Sequence, residues 1–445
     1  MNINRILKTA RSLLLIPCGV LVMNTATAAP GVLSDEPLQT SSSAPPNILF
    51  HLDTSGSMQH IVPEYDSGSY SFTCDNADAL ISEGESWSWI INSSGVPKIQ
   101  QVVSGTTKSF TLGNTSFNRC FDPAGNFETT LDLSTSSATG GDTLYTGAYL
   151  NWYFNTATDG TGNWTDDDHK PGARSRMEVA QDSLKALIST LSNVHVGLTT
   201  FDGGSGASLV QVVQDLEVTD GSGDTHLSNL LSSIDATSAG GSTPLAESAR
   251  DIGRYFSNNS SGQCGGNSNL TIHPGHDTLE ASVACDLTLG NRITQAGPIQ
   301  YFCQKNFSVM MTDGQPSQDR DISSYLKDYD QDCTSTAQTD GSYTCDDYDG
   351  KSTVTYTETT HSDHWDDVTQ ALYEIDLRPD LNDSDGNPVK NNIITYTIGF
   401  ADEVVKNHPL IREAAEQAGG ESVSYTHLRA HETVLDLVCR LLLEK

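Results

Sequence analysis

The chain has 445 residues, with 57 acidic against 24 basic side chains and a formal net charge of -33. That balance excludes nucleic acid and anionic membrane surfaces as direct electrostatic partners, since both are held by positive charge. It fits an exported, cation-binding surface, and equally plain solubility.

In chain order, Arg5, Lys8 and Arg11 precede an apolar stretch from Ser12 to Met23, followed by Ala26, Thr27 and Ala28 as a small-x-small cleavage site. Residues 1–28 therefore read as a secretory signal peptide. Its core is too short for a membrane span, and no later segment reaches about 18 consecutive apolar residues. Cys18 lies inside that core behind Pro17 and is expected to leave with the leader. Residues 29–46 are Ser/Pro-rich without apolar periodicity and read as a linker.

From residue 47 the pattern is that of an α/β domain reaching residue 422. NILFHL (47–52), VHVGLTTF (194–201), FSVMMT (307–312) and IITYTIGF (393–400) are near-continuous apolar or β-branched runs, which is how strands buried on both faces read. LVQVVQDL (209–216) alternates more and is predicted as an edge strand. Helices are predicted at 174–191, 225–235, 244–257, 364–377 and 408–418, so strands and helices alternate as in a doubly wound, mostly parallel sheet. Three insertions rich in Gly, Ser, Thr, Asn and Asp interrupt it, at 59–172, 258–300 and 315–363. Each follows a segment with candidate ligands and would crowd the strand-end face. The aromatics of SWSWII and around Trp152 in the first insertion are read as binding residues or as a small β-rich core.

The most informative stretch is NILFHLDTSGSM, whose apolar run delivers Asp53, Ser55 and Ser57 onto one tight turn. One carboxylate and two hydroxyls suit a hard divalent ion: magnesium first, with manganese or calcium in the same class. An ordinary strand followed by a Ser/Gly turn reads the same way. In AGGSTPLAESARDIGRYF (239–256) a glycine pair leads to Thr243 and then to Pro244, which suits the first helical turn. Thr243 is thus an exposed-loop ligand or a helix N-cap. In NFSVMMTDGQPS (306–317) a strand breaks at Asp313, a turn aspartate or a ligand at the strand's carboxyl end, where sites in open sheets gather.

D-x-S-x-S, then a distant Thr, then a distant Asp resembles the von Willebrand factor A domain and its metal-ion-dependent adhesion site. The resemblance implies that Ser55, Ser57 and Thr243 ligate the ion directly, and that Asp53 and Asp313 act directly or through water. SRMEVAQDSLKALISTLSNVHVGLTTFD, GGSTPLAESARDIGRYF, PIQYFCQKNFSVMMTDGQPS and NNIITYTIGF resemble the N-terminal half of PilY-type type IV pilus proteins. DTLYTGAYLNWYFN and DVTQALYEIDLRPDL add to that likeness. The β-propeller that usually follows in such proteins is missing from this sequence. The resemblance implies an adhesion or assembly module, exported to the periplasm and then pilus-associated or at the cell surface. It would bind a protein carrying an exposed carboxylate through the cation, with the last helix shifting in response. Two other functions remain open. One is a structural priming factor for pilus assembly with no metal-dependent ligand. The other is a metal-dependent phosphoryl-transfer enzyme, which wants a second acid where Ser55 stands; the chain also lacks G-x-S-x-G, Walker and H-E-x-x-H motifs. The expectation is a non-enzyme.

An exported protein oxidises most of its cysteines. Spacing pairs Cys74 with Cys120, Cys264 with Cys285 and Cys333 with Cys345, leaving Cys303 odd, and no Cys/His spacing supports zinc. Asp328, Asp330 and Asp332 form a D-x-D-x-D run with Cys333 where a calcium loop would have Gly. It reads as a second calcium loop or as a solvated acidic loop closed by Cys333. Asp383 and Asp385 before Gly386 read as a turn. Residues 423–445 turn basic and Leu-rich and read as a non-native tail, so His427, His431 and Cys439 are set aside.

Overall fold

Six strands build the central sheet of the computed structural model: β1 (Asn47–Leu52), β2 (His195–Phe201), β3 (Ala207–Asp215), β4 (Asn306–Thr312), β5 (Ile394–Phe400) and β6 (Ser422–Tyr425). Their order is β3-β2-β1-β4-β5-β6. Every neighbouring pair is parallel except β2 with β3, the antiparallel edge. The helices packed on this sheet are α1 (Arg176–Ile188), α2 (His226–Asp235), α3 (Leu245–Ser257), α4 (His364–Glu374) and α5 (Pro409–Glu416). The structure describes residues 44–62, 79–91, 97–110, 119–129, 131, 137–138, 143–156, 174–260, 295–318, 321–322, 326–330, 332–333, 342–346, 353–357, 362–400 and 408–425. The signal peptide, most of the linker, Cys18, Cys74, Cys264, Cys285, His427, His431 and Cys439 lie outside them.

Every residue of β1 is buried, because the sheet is covered on both faces and successive side chains point opposite ways. Ile48, Phe50 and Leu52 join Met177, Leu184 and Ile188 of α1 and Leu230 and Ile234 of α2 in one core cluster. Leu49, one residue out of phase, joins Ile252 of α3, Trp365 of α4 and Leu410 of α5 in the other. The fold is thus doubly wound. Strand order reverses between β1 and β4, which pair directly, and such a switch point opens a crevice beyond the strands' carboxyl ends.

Two features depart from the sequence-based expectation. The sheet runs on to Tyr425: β6 pairs in parallel with β5, and Val423 packs on the core, so part of the segment read as a tail is an edge strand. Helix α4 ends at Glu374 rather than 377, where Ile375 turns extended ahead of the Arg378-Pro379 step that disfavours helix. The small core expected for the aromatics of the first insertion is present: Trp89, Phe121, Phe127, Tyr145, Tyr149 and Tyr153 form a third buried cluster, with Trp87 and Trp152 against it. Within that cluster Tyr145 donates to the Ile61 carbonyl at 2.5 Å. Cys333 is disulfide-bonded to Cys345 as spacing predicted, Cys120 is also disulfide-bonded, and Cys303 is free and exposed. Asp383 closes the expected turn, with Gly386 N–H donating to its carbonyl. Among the described residues no helix is long and apolar enough to cross a membrane.

His51 sits in β1, fully buried, bonded through Nδ1 to Thr199 Oγ1 at 3.1 Å and set edge-on to Phe201. Burial pushes its pKa down from 6.5 to about 3. The unfolded chain therefore takes up a proton near pH 6.5 that the folded chain refuses, so stability present above that pH is lost as the pH falls toward 3. Urea unfolding of wild type and His51→Gln between pH 7 and 4 is expected to show a steeper fall for wild type; parallel curves would contradict this.

Candidate metal centre

Strand pairing alone brings the two key carboxylates together. Leu52 lies opposite Met311 in the parallel register, and the Asp53 amide continues the ladder by donating to the Met311 carbonyl at 3.1 Å. Asp53 and Asp313 therefore leave the sheet side by side at the switch point, 0% and 1% exposed. Asp53 is tightly held: Oδ1 accepts from the Ser55 amide at 2.7 Å, and Oδ2 accepts from Thr312 Oγ1 at 2.7 Å and from the Asp313 amide at 3.4 Å.

The serine hydroxyls close on Asp313. Ser57 Oγ donates to Asp313 Oδ1 at 2.8 Å, Ser55 Oγ lies 3.5 Å from the same oxygen, and the two hydroxyls are 2.9 Å apart. Thr243 belongs to the same corner. A Cβ placed on Gly314 would lie 3.7 Å from Ser57 Oγ and 3.9 Å from Thr243 Oγ1. Two glycines hold that loop in place: Gly240 N–H donates to the Thr54 carbonyl at 2.7 Å, and Gly56 N–H donates to the Gly241 carbonyl at 3.1 Å. Gly241 has φ +104°, and a side chain there would press on the Gly203 carbonyl, so the position favours glycine. Thr243 is not a helix cap. The cap of α3 is Pro244, and the Thr243 amide instead donates to Ser317 Oγ at 3.0 Å.

One participant was not singled out from sequence. Arg176 Nη1 donates to Asp313 Oδ2 at 2.7 Å, with both side chains at most 1% exposed. A capping box aims it: Ser175 Oγ accepts from the Glu178 amide, and Glu178 reaches back to the Ser175 amide at 2.7 Å. The S-x-x-E spacing was the available signal, since it fixes the helix start and puts Arg176 in the first turn. Asp328, Asp330 and Asp332 also cluster, but among themselves: their carboxylate oxygens lie within 4.8 Å of one another.

The donor set fits a hard cation. It is all oxygen, and its carboxylates conflict: the Asp53 pKa is raised to about 7, first by burial and then by Asp313, against the bonds from Ser55 and Thr312. A divalent ion at Asp313 and the hydroxyls would offset that repulsion.

No protein-family model and no curated protein matches the chain. Solved structures do. A von Willebrand factor type A protein from Catenulispora acidiphila is 12% identical, with TM-score 0.29, over 59% of this chain and 37% of that one. The PilB minor pilin from Streptococcus sanguinis is 12% identical, with TM-score 0.31, over 87% and 93%. The pilus adhesin SpaC from Lactobacillus rhamnosus GG is 12% identical, with TM-score 0.28, over 60% and 28%. The fold assignment rests on the chain's own strand order.

Removing one member of a buried ion pair strands the other and costs about 3–5 kcal/mol, whereas replacing both with apolar groups is often neutral. Arg176→Met is therefore expected to destabilise the metal-free protein by that order in urea unfolding, and Arg176→Met with Asp313→Leu to recover most of it. Equal stability of the single variant and wild type would contradict the pairing.

Proposed function

We propose that this domain is a metal-ion-dependent adhesion and assembly module of a type IV pilus, of the PilY type, exported and then pilus-associated. The observation that carries the reading is the convergence of Asp53, Ser55, Ser57 and Asp313 in one hydrogen-bonded group at the switch point, with Thr243 bordering it. Ser55, Ser57 and Thr243 would hold magnesium or another hard divalent ion directly, with Asp53 and Asp313 acting directly or through water. When bound, the ion supplies a coordination position for a carboxylate on a partner protein. Ser57, Ser242 and Gly314 are partly exposed whereas Asp53 is not, so a ligand would approach over the serine side. Arg176 orients Asp313, and the Ser55 and Thr312 bonds orient Asp53.

Catalysis is disfavoured by the same geometry. An aspartyl-phosphate mechanism needs an accessible carboxylate after β1, and Asp53 is 0% exposed with both oxygens engaged. Its neighbour two residues on is Ser55, not an acid.

Calorimetric titration of the chelator-treated protein with magnesium and manganese tests the reading. Wild type is expected to bind, and Ser55→Ala with Ser57→Ala, which strands no buried charge, to bind at least about a hundredfold more weakly, since even outer-shell losses cost about 10–100-fold. A wild type that binds neither metal would favour the priming role, and metal-dependent hydrolysis of phosphate esters abolished by Asp53→Ala would favour the enzyme.

A further inference from the structure

The third insertion holds a second concentration of carboxylates that the first site does not use. Asp328, Asp330 and Asp332 curl into a tight loop: the Cys333 amide donates to Asp328 Oδ1 at 3.2 Å, and the Asp332 amide donates to Asp330 Oδ1 at 3.2 Å. That loop packs against the start of α4. Asp367 Oδ1 accepts from the Tyr329 and Asp330 amides, and Asp332 and Asp363 have carboxylate oxygens within 4.8 Å of each other.

Among the described residues, two carboxylates in this corner, those of Asp366 and Asp367, carry a buried oxygen with no hydrogen-bond partner. They are Asp366 Oδ1 and Asp367 Oδ2, on side chains 1% exposed. The carboxylate of Asp367 thus binds the loop backbone through one oxygen and leaves the other without a partner among the described residues.

We propose that Asp328, Asp330 and Asp332 of this loop, with Asp363 and Asp367 beside α4, form a second cation site that takes calcium. Calcium accepts six to eight oxygens in flexible geometry, whereas magnesium demands a strict octahedron and keeps its waters. Zinc is disfavoured because Cys333 and Cys345, which border the cluster, are joined as a disulfide and offer no thiolate. The ion would pin the insertion to α4, and Gln417, which donates to Asp330 Oδ2 at 3.0 Å, extends that tie to the end of α5. The site is independent of the adhesion reading and stands or falls separately from it.

Calcium titration of the full chelator-treated chain, by calorimetry and by thermal unfolding, tests the proposal on three proteins. With magnesium in excess to occupy the first site, wild type is expected to bind calcium and to gain several degrees in Tm, and Ser55→Ala with Ser57→Ala to retain that calcium-binding event. Asp330→Asn with Asp332→Asn is expected to lose at least about tenfold in calcium affinity, yet in calcium-free buffer to melt at or above the wild-type temperature because like-charge repulsion is relieved. A wild type that binds no calcium, an Asn variant with undiminished affinity, or an Asn variant less stable than wild type without calcium would each overturn it.

Discussion

Two buried carboxylates side by side at the carboxyl ends of β1 and β4 are the constraint around which the domain is organised. Neither can move away, because each follows a strand locked into the same parallel ladder. What surrounds them reads as a set of answers to their repulsion. Arg176 neutralises the outer oxygen of Asp313, the Ser55 and Thr312 donors hold Asp53, and the serine hydroxyls turn toward Asp313. The capping box of α1 and the Gly240-Gly241 crossing exist in this account to deliver those partners on time and in place. A group assembled at such electrostatic cost at a strand-order switch point is a candidate for function before it is a candidate for stability.

The fold was largely legible in the sequence because its strands are buried on both faces. Runs such as NILFHL and FSVMMT have no polar face to confuse them, and the β3 edge announced itself by alternation. The short outer strand was not legible. SVSY has four residues, half of them serine, and its place is set by β5 offering an unpaired edge rather than by any pattern of its own. The candidate site was legible where its members sit on one turn, as Asp53, Ser55 and Ser57 do. Thr243 and Asp313 were ambiguous from local pattern, since Thr before Pro also caps helices and Asp before Gly also makes turns; pairing of β1 with β4 and the glycine crossing bring both to the corner of Ser55 and Ser57. Arg176 escaped because an arginine at a helix start ordinarily faces solvent, and its partner lies 137 residues away.

The acidic loop shows the same limit more sharply. Within DYDQDC only a weak calcium pattern is visible, with a cysteine where a turn glycine belongs. Its chemistry depends on the D-H-W-D-D segment that begins α4, which reads from sequence as an amphipathic helix start. Only folding the insertion back onto that helix places Asp367 against the loop amides and turns two unremarkable acidic stretches into one cluster. Net negative charge spread over a surface means solubility; here part of it is gathered in two corners, one at the switch point and one beside α4.

Crystals grown with manganese offer the most direct measurement of the central claim, through the anomalous signal of the ion. The account predicts a peak bounded by the Ser55, Ser57 and Thr243 hydroxyls and the Asp313 carboxylate, with Ser57 turned from its bond to Asp313 toward the ion. Ordered density for that corner with no peak, and with the Ser57–Asp313 bond intact at saturating manganese, would contradict it.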